Sequence, residues 1–207
     1  MLPAKKEEKT ELTKERIIQA AVQEFGVKGY AASTVGAICS EYGIAKGLIY
    51  HNFKGKDDLY LTCVSRCFAD VTACLREQDT GTDLHQYMQR RLQYFSEHPL
   101  YAGIFFEAVL QPPAPLAAEI RERKKDFDQF NRHIYRTAIS RMKLRRGVTE
   151  EDAMEYYGIM QEMFNGYFSS PAYTGKDFET IITDHEERLV KMLDFMLYGI
   201  VERGTER

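Results

Sequence analysis

The apolar residues of this chain recur every three or four positions almost from end to end, and no convincing run alternates with the period of two that marks a half-buried strand. That one feature confines the fold to packed helices, an all-α architecture of about nine elements. Residues 1–10 are charged and poor in apolar side chains, and read as a flexible arm. A first helix can start at Thr13, with Glu15 in its first turn and Ile18, Ala21, Val22 and Phe25 on one face, and Lys28-Gly29 stops it. A short helix over Val35–Tyr42 follows, capped by Thr34 and broken at Gly43. Another covers Ala45–Phe53. A fourth opens at Lys56-Asp57-Asp58 and carries Leu59, Cys63, Cys67, Val71 and Cys74 or Leu75 on one side. Gln78–Asp83 reads as a loop.

Longer helices come next. Leu84, Tyr87, Met88, Arg91, Leu92 and Phe95 form a stripe that ends at His98-Pro99. A very apolar helix over Tyr101–Leu110 is closed by the prolines of 112–115, and Pro115 suits the first turn of the next helix. That helix is predicted to run to Arg146, with Leu116, Ile120, Phe127, Phe130 and Ile134 inward and Lys143, Arg145 and Arg146 at its negative end. Thr149 caps an eighth helix. The last shows Phe178, Ile181, Ile182, His185, Leu189, Met192, Leu193 and Met196.

Composition narrows the class. A 44% hydrophobic content in 207 residues supplies a real core, and no stretch approaches the length needed to span a bilayer. No secretory signal is visible, and four cysteines in such a chain suggest reduced thiols in a cytoplasm. The net charge of −3 is unevenly placed. Residues 1–56 hold nine Lys/Arg against six Glu, whereas the remainder is acidic, as expected of a nucleic-acid-reading head on another kind of body. The boundary is placed at residues 56/57, inside the start of the fourth helix.

The function-bearing stretch is 34–53, TVGAICSEYGIAKGLIYHNF. Val35 and Ile38 on one short helix, with Leu48 (or Ile49) and Phe53 on the next, give the contacts that lock a helix-turn-helix. Gly43 suits the turn because a left-handed backbone is costly for a residue with a Cβ. The second helix is slim at its front, where Ala45, Lys46 and Gly47 let it approach a groove floor. Lys46 offers a donor to a base edge or phosphate, and Tyr50 and His51 are donors one turn on. Lys56, with the free N–H groups of its helix start, makes a phosphate clamp. The competing reading of the same residues is a plain three-helix packing unit.

The run from Thr13 to Leu61 resembles the DNA-binding domain of TetR-type (tetracycline-repressor-like) regulators. The resemblance lies in Ile17-Ile18-Gln19-Ala20-Ala21, Phe25, Gly29-Tyr30, Ser33-Thr34-Val35, Ile38, Gly43 through Phe53, and Lys56-Asp57-Asp58-Leu59. It implies an all-helical homodimer whose first three helices bind double-stranded DNA and whose remainder senses a small molecule and pairs subunits. By resemblance, Thr34 and Tyr50 touch phosphates, Ala45, Lys46 and Gly47 face the major groove, and His51 and Lys56 sit at or near the backbone. The sequence departs from the pattern at Ala45, where Ser or Thr is common and caps the helix. It departs again at Gly36 and Ala37, where longer polar residues are frequent.

The eighth helix is apolar most of the way round and should be buried on two sides, one of them against the last helix and a second subunit. The interior is rich in Tyr, Phe and Met, and such surfaces accept apolar ligands as readily as they form plain core. Candidate ligand-binding residues are Tyr87, Arg91, Tyr94, Phe95, Phe105, Glu107, Phe130, Met160 and Phe164. Arg91 and Glu107 are charged intruders on apolar faces, expected to pair with each other or to meet a charged ligand; alternatively Arg91 snorkels and Glu107 faces water. Cys63, Cys67 and Cys74 share a helix face, as small core hydrophobes or as a thiol sensor. The run Arg121–Lys125 reads as a solvated face.

No GxSxG, HExxH, P-loop or GxGxxG occurs, the five histidines are scattered, and no enzyme activity, metal or cofactor is expected. The reading is a ligand-responsive DNA-binding regulator, a repressor that holds a near-palindromic operator as a dimer and is released by a small molecule. The alternatives are a thiol-based redox regulator on the same scaffold, or a small helical carrier or enzyme that does not bind DNA.

Overall fold

A computed structural model describes residues 3–77, 83–173 and 175–199, and the side chains of all of these except 3–9 and 178. The loop expected at Gln78–Asp83 falls almost wholly outside the described residues, as does the side chain of Phe178. The described residues form α1 (Pro3–Ala32), α2 (Val35–Tyr42), α3 (Lys46–Asn52), α4 (Lys56–Glu77), α5 (Leu84–Glu97), α6 (Pro99–Leu110), α7 (Ala117–Ser140), α8 (Glu150–Phe168) and α9 (Phe178–Tyr198). Single 3-10 turns lie at Ala114–Leu116 and Pro171–Tyr173, and no strand occurs among the described residues.

Helix ends fall where local chemistry sets them. Thr34 accepts the Ala37 N–H at 3.0 Å, and Gly43 takes the left-handed conformation, φ 61°, that ends α2. Thr149 and Asp152 cap α8 reciprocally, each accepting the other's backbone N–H. Gly29 stops the regular part of α1, leaving helical geometry at φ 73°, ψ 172°.

Two predicted ends are corrected. The first helix begins at Pro3, not Thr13, so the stretch expected to be a flexible arm is helical from Pro3 onward. Its Lys, Glu and Ala residues are good helix formers that need no apolar face to extend a helix already anchored downstream. At the other end, α7 stops at Ser140, not Arg146. Past Ile139 the chain has no fully buried side chain up to Thr149, and i→i+3 bonds from Arg141 and Met142 tighten the last turn. Lys143, Arg145 and Arg146 therefore lie in the following loop.

By contacts the chain divides into two compact units, Met1–Asp79 with Gln93–His133, and Thr80–Leu92 with Ile134–Arg207. In the first, α1 and α6 meet almost backbone to backbone. A Cβ added at Gly26 would stand 2.7 Å from the Leu100 carbonyl oxygen, and one at Gly103 would overlap the Gly26 carbonyl. The other side of α6 enters an aromatic cluster. Phe105 lies 4.7 Å from Phe95 and 5.2 Å from Phe127, centroid to centroid, with Phe68 and Phe106 beside them. The α4 stripe closes this core, with Leu59, Cys63, Cys67, Val71 and Leu75 buried; Cys74 is only half-buried.

The second unit has its own core. Tyr135 and Tyr157 stack at 4.0 Å, and Phe164, Phe168, Tyr173 and His185 pack together. Its outer surface carries an unusual set of exposed apolar residues: Tyr156, Ile159, Met163 and Tyr167 at helical spacing on α8, and Phe195 and Tyr198 on α9.

Candidate nucleic-acid interface

The head is built on four buried anchors. Val35 and Ile38 of α2 and Ile49 of α3 are buried with Phe53, and Ile44 fills the turn between the helices. Leu48 is exposed, so Ile49 is the residue that faces inward on α3. Arg16 of α1 donates to the carbonyls of Tyr42 and Gly43, both at 3.3 Å, and so pins the turn to the first helix. Lys28 bridges Glu24 and Glu41 at 2.9 and 2.8 Å and ties α2 to α1. Neither tie is visible in the sequence, because each spans more than ten residues and a basic residue on a helix face gives no sign of its partner.

With those anchors inward, the leading edge of α3 points out. Ala45, Lys46, Gly47, Tyr50 and His51 are all exposed. Ala45 occupies the cap position of α3 without a side-chain hydrogen bond, as an alanine must. A Cβ at Gly47 would touch nothing within 4 Å. Internal packing therefore does not require that glycine. The Lys46 ammonium lies 5.9 Å from the Tyr50 ring centroid. Thr34 is exposed, and its hydroxyl, which accepts from Ala37, keeps its own proton to donate.

Lys56 opens α4 with its ammonium 4.1 Å from the centre of the Tyr30 ring. The Tyr30 hydroxyl donates to Asp57 at 2.6 Å, and that carboxylate pushes the phenol up to about 12. The Tyr30 N–H donates to both oxygens of Glu107, at 2.9 and 3.0 Å.

The ligand candidates are divided between the two units. Tyr94, Phe95, Phe105, Glu107 and Phe130 belong to the first, and Tyr87, Arg91, Met160 and Phe164 to the second. Phe95 and Phe105 meet in the aromatic cluster, Tyr94 donates to Asp70 at 3.0 Å, and the Phe130 ring lies 5.2 Å from the Arg76 guanidinium. Arg91 and Glu107 do not pair with each other. Arg91 meets Glu186 at 3.0 Å, both side chains almost fully buried. His185 contacts the same carboxylate at 3.0 Å and Asn165 at 3.1 Å. Glu107 meets Tyr30 and Tyr60 instead. The sequence could not assign these partners, because Glu186 lies 95 positions from Arg91 and reads as one acid in a charged run.

Also unforeseen is a cleft of about 790 Å³ in the second unit, lined by Met142, Lys143, Leu144, Tyr156, Met196 and neighbours. It opens where α7 ends early. Two thiols of α4, Cys63 and Cys67, are buried. Burial pushes Cys63 up to about 12 and raises Cys67 well above the ordinary thiol value, and the Cys67 thiol donates to the Tyr101 carbonyl at 3.3 Å. Protonated, buried thiols are poor nucleophiles.

Two short helices locked across a tight turn, the second with its slim cationic front outward, define a helix-turn-helix regulator fold. Residues 17–63 match the sequence model described as bacterial regulatory proteins, tetR family, and residues 78–204 match that of the tetracyclin repressor-like C-terminal domain. The chain belongs to the TetR family. It is 49% identical over 49 residues to the HTH-type transcriptional regulator YerO of Bacillus subtilis, a stretch covering 24% of this chain and 17% of YerO. It is 30% identical over 118 residues to the HTH-type transcriptional repressor SCO4008 of Streptomyces coelicolor, covering 56% of this chain and 60% of that one. The matched stretches thus span less than two thirds of these relatives. Among solved structures, the fatty acid degradation regulator FadR of Bacillus halodurans superposes with a TM-score of 0.61 at 18% identity, over 92% of this chain and 97% of that one. FadR of Bacillus subtilis, solved with stearoyl-CoA, superposes with a TM-score of 0.62 at 18% identity, over 91% and 100%. These two likenesses bear on the fold.

Proposed function

We propose that this protein is a ligand-responsive transcriptional repressor, acting as a homodimer on a near-palindromic DNA site. Residues 1–56 form the DNA-binding head and residues 57–207 the sensing and pairing body. The observation that carries the reading is the outward-facing front of α3, where exposed Ala45, Lys46 and Gly47 stand over a fully buried Ile49. These three enter the major groove. Thr34 and Tyr50 hold phosphates, and His51 and Lys56 lie at the backbone.

The exposed stripe of Tyr156, Ile159, Met163 and Tyr167, with Phe195 and Tyr198, is the face we assign to the second subunit. An apolar stripe of that length on two helices suits a two-fold helical interface. The effector's candidate contacts are Tyr87, Arg91, Met160 and Phe164 within the second unit and, as a separate set, Tyr94, Phe95, Phe105, Glu107 and Phe130 within the first. A long acyl thioester is the first class to titrate, given the ligand of Bacillus subtilis FadR. To weaken DNA binding ~100-fold, the effector must favour the released state by roughly 2.7 kcal/mol.

No described helix is long and apolar enough to cross a membrane, and we place the protein in the cytoplasm, with no enzymatic role. Gel-shift against DNA upstream of the protein's own gene tests the reading. A salt-sensitive retarded band that stearoyl-CoA weakens is expected. A carrier or enzyme that keeps the head only for packing would give no such band.

A further inference from the structure

We infer that Glu107, far along the chain from the head, is the positioning residue for Lys56, the lysine assigned above to the DNA backbone. The inference rests on that DNA-binding reading.

The chain of contacts is short. The Lys56 ammonium sits over the Tyr30 ring at 4.1 Å, so the ring's place sets the cation's place. Tyr30 is held at both ends. Its hydroxyl donates to Asp57 at 2.6 Å, and its backbone N–H donates to both Glu107 oxygens. Glu107 also accepts the Tyr60 hydroxyl at 2.8 Å, and the Tyr60 ring packs 5.0 Å from Tyr30 and 5.1 Å from Phe25.

The backbone explains why an acceptor is needed there. At Gly29 the chain leaves helical geometry, so the Tyr30 N–H points away from the helical carbonyl that would have accepted it. A half-buried N–H without an acceptor is costly, and a charged acceptor is the stronger kind. Gly29 also makes the room: a Cβ there would come within 2.9 Å of Glu107 Oε1. Gly103 fixes the helix that carries Glu107, one turn before it, seating α6 against the Gly26 carbonyl. The carboxylate thus sits on a rigid element and has no freedom to swing away. Burial pushes the Glu107 carboxyl up, opposed by the Tyr30 N–H, the Tyr60 hydroxyl and the nearby Lys56 charge.

Lys46 stands outside this chain of contacts. Loss of Glu107 should therefore weaken binding to every duplex alike and leave base preference unchanged. The full-length protein is titrated against a random-sequence duplex by fluorescence anisotropy, between about 50 and 200 mM salt. Each phosphate contact contributes about 0.9 to the slope of log affinity against log salt. Glu107→Ala is expected to lower that slope by about 0.9 per subunit. Adding Lys56→Ala to it should lower the slope no further. Glu107→Gln, which keeps an oxygen for the Tyr30 N–H, should recover most of the loss. A slope equal to that of the unaltered protein, or a fall that adds to that of Lys56→Ala, overturns the inference. Should Glu107→Ala fail to fold by circular dichroism, Glu107→Asp draws the carboxylate back by one methylene and carries the same expectation. If the unaltered protein binds no duplex, the DNA-binding reading itself has failed, and the two failures are distinct.

Discussion

A single methyl group at position 103 would separate two helices that now touch. The Cβ of an alanine there would overlap the Gly26 carbonyl oxygen, which is backbone and cannot rotate aside. Gly103→Ala should therefore destabilise the protein by about 1–3 kcal/mol, the usual cost of overpacking, read as a lowered midpoint in urea. An unchanged midpoint would mean that α1 and α6 slide apart freely. Neither glycine stood out in the sequence. A lone glycine in a helical pattern signals only a propensity cost, and its reason lies on another helix. Ala45, Lys46 and Gly47, proposed to face DNA and exposed in the structure, stand out for the opposite reason. Their meaning depends on a local pattern of turn and anchors within twenty residues.

Among the helices, ends with a capping signal were predictable and ends without one were not. Thr34, Gly43 and Thr149 fall where expected because a side-chain oxygen or a left-handed glycine satisfies the terminal backbone groups locally. The end of α7 has no such mark, and basic residues that read as dipole partners belong to the loop beyond it. Thr149→Ala removes half of a reciprocal cap and should cost about 1 kcal/mol, measured by thermal unfolding. The N–H and hydroxyl of Thr149 hold the Asp152 carboxyl below its ordinary value. The cap's contribution is thus full above the unfolded pKa of Asp152 and is lost as the pH falls through the folded one. In Thr149→Ala that acid-linked loss should shrink. An equal acid response in both proteins would contradict this.

For the whole chain, the network of Arg91, Glu186, His185 and Asn165 is the feature with the widest consequence. Its members come from α5, α8 and α9, so no local pattern could reveal it, and the sequence showed only that Arg91 stood on an apolar stripe. Burial lowers the His185 pKa from 6.5, against the pull of Glu186. Burial pushes Glu186 up, yet Arg91 and His185 together hold it below its ordinary 4.5. Both signs agree. The unfolded chain takes up protons first, so stability is full above pH 6.5 and falls below it, through His185 first and Glu186 below 4.5. His185→Gln should flatten the upper part of that fall in chemical denaturation followed against pH, and an identical profile would show that His185 carries none of it.

Selection of bound duplexes from a random pool bears most directly on the central claim, that α3 reads DNA and that two copies do so together. Two recognition helices on a two-fold axis predict an enriched inverted repeat with half-site centres about 34–36 Å apart. Lys46→Ala should blunt the base preference within each half-site. A pool that stays random, or one enriched in a lone half-site with no symmetric companion, would contradict the paired DNA-reading role.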